Sequence, residues 1–147
     1  MGFSFRFEAL LRYRLHRKER AEIELGRARK RLSQARETVE ALQNRRREAG
    51  EELQQALKSR ASAYLLQSHA DFVSGLEGRI QAQEAEVERC KEDVRDRVKV
   101  VLERTREVQM VEKLEERDRQ AWLQEEQRKE QKVLDEIAVI RHGRAFA

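Results

Sequence analysis

From Leu11 onward an apolar residue returns at nearly every seventh position. One series reads Leu11, Lys18, Leu25, Leu32, Val39, Arg46 and Leu53, and three residues later in each heptad come Arg14, Ala21, Ala28, Ala35, Leu42, Ala49 and Ala56. Eleven of these fourteen positions are apolar. That is an a/d pattern, which puts a narrow apolar seam along a helix and obliges it to find a partner helix. The second half has its own frame: Ile80, Val87, Val94, Val101 and Val108, then Glu115, with a weaker companion series of Leu76, Gln83, Cys90, Arg97, Arg104 and Val111. Beyond Val111 the apolar residues move to Leu114, Ala121, Trp122 and Leu123, then to Val133, Leu134, Ile137 and Ile140. Such a slip predicts a stutter that relaxes the supercoil.

The two frames fit each other when the chain folds back. Pairing residues whose numbers sum to 122 sets Ala21 against Val101, Ala28 against Val94, Ala35 against Val87 and Leu42 against Ile80. Small residues then face β-branched ones. The same register pairs Leu11 with Val111, Leu32 with Cys90 and Arg46 with Leu76, and it places the turn at Lys58–Ser62, where Ser59 or Ser62 offers an N-cap. The expected fold is all-α: a long antiparallel two-helix coiled-coil hairpin, one domain over 1–147. Its helices cover about 3–58 and 63–140, with the turn at about 58–62 and a short tail, 141–147, in which Gly143 offers a helix stop. Residue 118 falls opposite residue 4, so the second helix overhangs from roughly 119 to 140. Gly75 and Gly78 mark either a loose first turn or a helix start delayed to Ser74.

Composition supports long helices and excludes other plans. There is no proline, 41% of residues are charged and only 5% aromatic, too few large apolar side chains for a compact single core. The lone Cys90 cannot form an internal disulfide, which fits a reducing compartment. No apolar run approaches a membrane span and no secretory signal follows Met1, so a soluble cytoplasmic protein is expected. Residues 1–60 carry 16 basic and 9 acidic side chains, residues 61–147 carry 16 and 19, a weak attraction between the two arms.

The chemistry is sparse. His16, His69 and His142 lie far apart in the hairpin, and none is at ligand spacing from Cys90 or a carboxylate. Neither a metal site, a cofactor site nor a nucleophile–base pair can be assembled, so no enzyme is expected. Cys90 reads as a small seam residue. The runs Arg27–Arg31 and Arg45–Arg47 could meet phosphate, but interleaved glutamates make them a solvated face, and no nucleic acid is expected. Phe3, Phe5 and Phe7 alternate with Ser4 and Arg6; the cluster suits a lipid interface or, being too short for an amphipathic helix, a protein contact. With the overhang and a Phe72/Leu76 patch expected to be exposed near the turn, it makes a third apolar site. Sticky places at both ends suit an adaptor or rotor-like coiled coil joining two larger bodies. The competing class is a self-associating scaffold, from which a monomeric hairpin is told by sedimentation.

The start, Phe3-Ser-Phe-Arg-Phe-Glu-Ala-Leu-Leu-Arg-Tyr-Arg, and the later Val111-Glu-Lys-Leu and Glu130-Gln-Lys-Val-Leu-Asp-Glu-Ile-Ala138 resemble the FliJ family of flagellar export proteins, and the similarity in length and pattern covers essentially the whole chain. Stalk proteins of virulence type III secretion are the near alternative. The resemblance implies a non-catalytic, soluble component of the flagellar type III export apparatus, peripheral to the inner membrane at the flagellar base. Such proteins resemble the gamma stalk of rotary ATPases. They bind the centre of the export ATPase hexamer and promote its assembly, contact the cytoplasmic part of the transmembrane gate FlhA, and in some cases escort export chaperones. The family's gate-binding surface maps onto Leu42, Arg45, Ala49, Phe72, Leu76 and Gln83. Here Arg45 and Ala49 replace aromatic residues of some members, and Gln83 replaces a histidine. Apolar exposure at the open end adds an expected ATPase contact at Phe5, Phe7, Leu11, Trp122, Leu134 and Ile137.

Overall fold

The computed structural model describes residues 2–145, and two helices hold nearly all of them: α1, Glu8–Lys58, and α2, Ala63–Ala145. They form an antiparallel coiled-coil hairpin in which α2 overhangs. The heptads explain the pairing. Leu11, Ala21, Leu25, Ala28, Ala35, Ala49 and Ala56 of α1 are buried, as are Leu76, Val87, Val108 and Val111 of α2, and every remaining position of the four series except Arg46 is at least half-buried. Leu11 shares a buried cluster with Val111, as the register requires.

Contacts gather into two units. One contains residues 20–102 and so holds the turn. Its arms are tied by Arg31–Asp93 at 3.1 Å, Arg46–Glu77 at 2.7 Å and Arg97–Glu24 at 4.0 Å. All keep substantial contact with solvent, and each contributes less than about 1 kcal/mol; the alanine-on-valine seam supplies the cohesion. The turn is a helix stop built without glycine. Arg60 takes φ 54°, its N–H bonds the Leu57 carbonyl at 3.2 Å, and the Ala61 N–H reaches back to Ala56 at 3.0 Å. This is the Schellman pattern, in which the left-handed residue frees two amides to satisfy terminal carbonyls. Ser62 then caps α2, its Oγ accepting from the Leu65 N–H at 3.2 Å. Gly75 and Gly78 lie well inside α2, so the helix start is not delayed to Ser74; a Cβ at either would meet nothing within 4 Å.

The other unit joins the first 19 residues to those from 103 onward. Here the expected boundaries need correction. Residues 3–7 are not helical; α1 begins at Glu8, and the preceding chain bends through a turn closed by Glu8 N–H to Phe5 O at 3.3 Å. A non-helical segment advances about 3.3 Å per residue against 1.5 Å in a helix, so five residues reach farther along α2 than a helix would. Phe3 therefore arrives at Trp122, and half-buried positions continue to Glu126, so the bare overhang starts at 127 rather than 119. The stutter expected after Val111 is also displaced. The seam runs on in register through Glu115 and Asp118 to Trp122, because Arg6 of the N-terminal segment pairs with Asp118 at 3.4 Å and Arg119 with Glu115 at 3.0 Å. Gly143 does not stop α2, which continues to Ala145; Phe146 and Ala147 of the expected tail lie outside the described residues.

Candidate functional site

Near the turn, α1 and α2 set apart residues that a sequence motif runs together. Phe72 is 45% exposed, whereas Leu76, four residues on, is only 2% exposed and belongs to the seam. The exposed Phe72/Leu76 patch thus reduces to Phe72. Ala49 is likewise buried in the seam, and Leu42 and Gln83 are half-buried, with Gln83 Nε2 donating to the Ala35 carbonyl at 3.5 Å. Among the six tip residues, Arg45 and Phe72 present open surface. They touch: the Arg45 guanidinium carbon lies 5.1 Å from the Phe72 ring centroid. Sequence reasoning missed Tyr64, 86% exposed, and Leu57 and Leu65 beside the turn, although their place outside the heptad seam was visible.

The unit containing both termini divides in the same way. Phe5 and Leu11 pack with Val108 and Val111, and Phe3, Leu10 and Leu114 lean on that cluster. Trp122 is half-buried beside Phe3, whose ring also meets the Arg119 guanidinium at 5.1 Å. Phe5, Leu11 and Trp122 thus serve the internal packing. Most of the Phe-x-Phe-x-Phe cluster is turned inward as well, which leaves little for a lipid interface to hold. Phe7, at its edge, and Leu134 and Ile137 on the overhang remain exposed. From 127 to 144 every residue is exposed. Along that stretch Val133, Leu134, Ile137 and Ile140 follow helical spacing and share one face.

Among the described residues no group of three or more His, Cys, Asp or Glu side chains is placed to hold a metal ion. Cys90 is half-buried; burial first, then its hydrogen bond to Glu86 Oε1 at 3.6 Å and that residue's charge, push its thiol pKa above the ordinary value of 9.0. Glu86 and Glu88 move the other way, held below the usual carboxylate range by hydrogen bonds from Arg89 and Lys91 respectively. No described helix is long and apolar enough to cross a membrane.

The family model for the flagellar FliJ protein matches residues 3–146. The chain belongs to the FliJ family. It is therefore a non-catalytic component of flagellar type III protein export, and flagellum biogenesis and motility are its setting. No curated protein and no solved structure matches it. For this FliJ-family chain the hairpin brings Arg45 to Phe72 and Leu11 to Phe5, while Leu134 and Ile137 stand apart on bare helix.

Proposed function

We propose that this FliJ-family chain is the central stalk of the flagellar export ATPase. The unit holding both termini seats in the centre of the hexamer and favours its assembly, and the unit holding the turn contacts the cytoplasmic domain of the gate FlhA. The protein then works in the cytoplasm, at the inner-membrane face of the flagellar base, and export chaperones are further partners. The observation that carries the reading is the bare end of α2, where Val133, Leu134, Ile137 and Ile140 form an exposed apolar face, Leu134 at 59%. Leaving it in water forfeits about 25 cal/mol for each Å² a partner would cover, which favours a docked state. The charge-rich remainder suits a contact that is broken and remade, because exposed ion pairs exchange with water at little cost.

ATP hydrolysis by the purified export ATPase, measured with and without this chain and beside electron microscopy of its rings, tests the proposal. Faster turnover with more complete hexamers supports it. Unchanged turnover and ring number, with gate binding intact, would recast the chain as a gate adaptor.

A further inference from the structure

Phe72 is exposed but its ring is not bare. Arg45 covers one face, and the same guanidinium meets Glu48 Oε2 and Glu52 Oε1, each at 3.4 Å. Arg45, Glu52 and Phe72, with Leu65, Ser68 and His69, line a groove of about 290 Å³. Both carboxylate contacts are single, solvent-exposed and longer than the roughly 2.7–2.9 Å of a strong charge-assisted hydrogen bond, so they are easily exchanged. The adjacent arginine behaves differently. Arg46 grips Glu77 Oε1 through Nε at 3.1 Å and a terminal nitrogen at 2.7 Å, clamping the two helices together. Of two neighbouring arginines, one is committed to the hairpin and the other lies on an open aromatic ring. A second cation lies about 10 Å along the helix: Arg79, seven residues from Phe72 and so nearly on the same face of α2, is exposed and has no ion-paired carboxylate among the described residues.

We infer that Arg45 determines the specificity of this surface: the partner receives the Phe72 ring in an apolar pocket edged by a carboxylate, and that carboxylate replaces Glu48 and Glu52 on Arg45. The inference rests on the proposed gate contact and says what that contact must look like in this chain. An apolar partner without the carboxylate would either bury the guanidinium with poor pairing or pull it off the ring, and both are unfavourable. An acidic edge keeps the cation–π contact, exchanges one exposed ion pair for a better-shielded one, and also faces Arg79.

The test is the affinity of the FlhA cytoplasmic domain for the full chain at about 50 and about 300 mM salt, a range over which exposed charge pairs are increasingly screened. Arg45→Gln should weaken binding about tenfold at low salt and flatten the salt dependence, and Arg45→Glu should weaken it further. Glu52→Gln, which removes one of the two carboxylates competing for the guanidinium, should tighten binding about twofold. If Arg45→Gln binds as tightly as the unaltered chain, or more tightly, while Phe72→Ala loses binding, Arg45 is only a cover and the inference is overturned with the gate reading intact. If the unaltered chain does not bind the gate domain, that reading fails and the inference falls with it. All four substitutions are at exposed positions, so circular dichroism should show unchanged helicity.

Discussion

Phe3 and Trp122 sit ring to ring, centroids 6.1 Å apart and planes inclined by 58°. A few non-helical residues thereby extend the packed seam beyond the start of α1, with Phe5 as the buried anchor at 7% exposure. Trp122 is the sole tryptophan, which makes the contact directly readable. Phe3→Ala should move its fluorescence to longer wavelength with little loss of helix. Phe5→Ala should do the same and also destabilise this unit by about 3 kcal/mol, the low end for a buried phenylalanine because the cluster is small. An unmoved emission maximum in both variants would mean the segment does not lie on α2 in solution.

Phe72 and Leu76 are predicted to part company on substitution. Leu76→Ala empties a fully packed seam position and should cost about 2–4 kcal/mol in chemical denaturation. Phe72→Ala removes a half-exposed ring and a cation–π contact and should cost no more than about 1 kcal/mol. A double substitution therefore confounds binding with folding, and Phe72→Ala alone is the clean probe of the tip surface. Equal stability losses would contradict the burial difference.

The turn predicts two substitutions of opposite sign. Arg60 pays the strain of a left-handed residue bearing a Cβ, so Arg60→Gly should raise stability by about 1 kcal/mol. Ser62→Ala removes the cap on α2 and should lower it by about 1 kcal/mol. Thermal melts of both read the result. A lower melting temperature for Arg60→Gly would show that the arginine side chain, rather than the backbone, matters there.

Cys90 should alkylate slowly. Its thiol pKa is raised, so at pH 8 the folded chain holds less thiolate than the unfolded chain, whose thiol ionises near 9.0. The linkage has the matching sign: the folded state favours the neutral thiol, so this contribution is complete below pH 9.0 and is lost as pH rises through the higher folded value. Iodoacetamide kinetics with and without denaturant check it; equal rates would place the sulfur in open solvent.

Much of this fold is legible in the heptads, because a seven-residue apolar repeat has one structural meaning and two matched frames fix the pairing to within a whole heptad, the break at Lys58–Ser62 choosing among the shifts. Leu11 with Val111 and the Lys58–Ser62 turn follow from the frames and that break together. The failures come where the repeat is silent. Phe3, Phe5 and Phe7 alternate with a period of two, a pattern for an extended segment, and extending α1 through them hid their reach to Trp122. Glu115 and Asp118 look like breaks in the seam because their partners are not seam residues of α1: Asp118 pairs with Arg6 of that segment and Glu115 with Arg119 of its own helix. Leu76 reads as part of an exposed motif when considered beside Phe72, yet its own heptad position already places it inside. Gly143 lies near the end of α2 without ending it, since Gly at such a site permits a stop but does not impose one.

The most direct test of the stalk proposal is ATPase stimulation by a chain carrying Leu134→Asp and Ile137→Asp, compared with the unaltered chain and with Phe72→Ala. The overhang has no internal packing at these positions, so helicity and gate-domain binding should be retained while stimulation and ring assembly are lost; Phe72→Ala should show the reverse. Full stimulation by the overhang variant would contradict the account, because the apolar face on which it rests would then have no part in holding the ATPase.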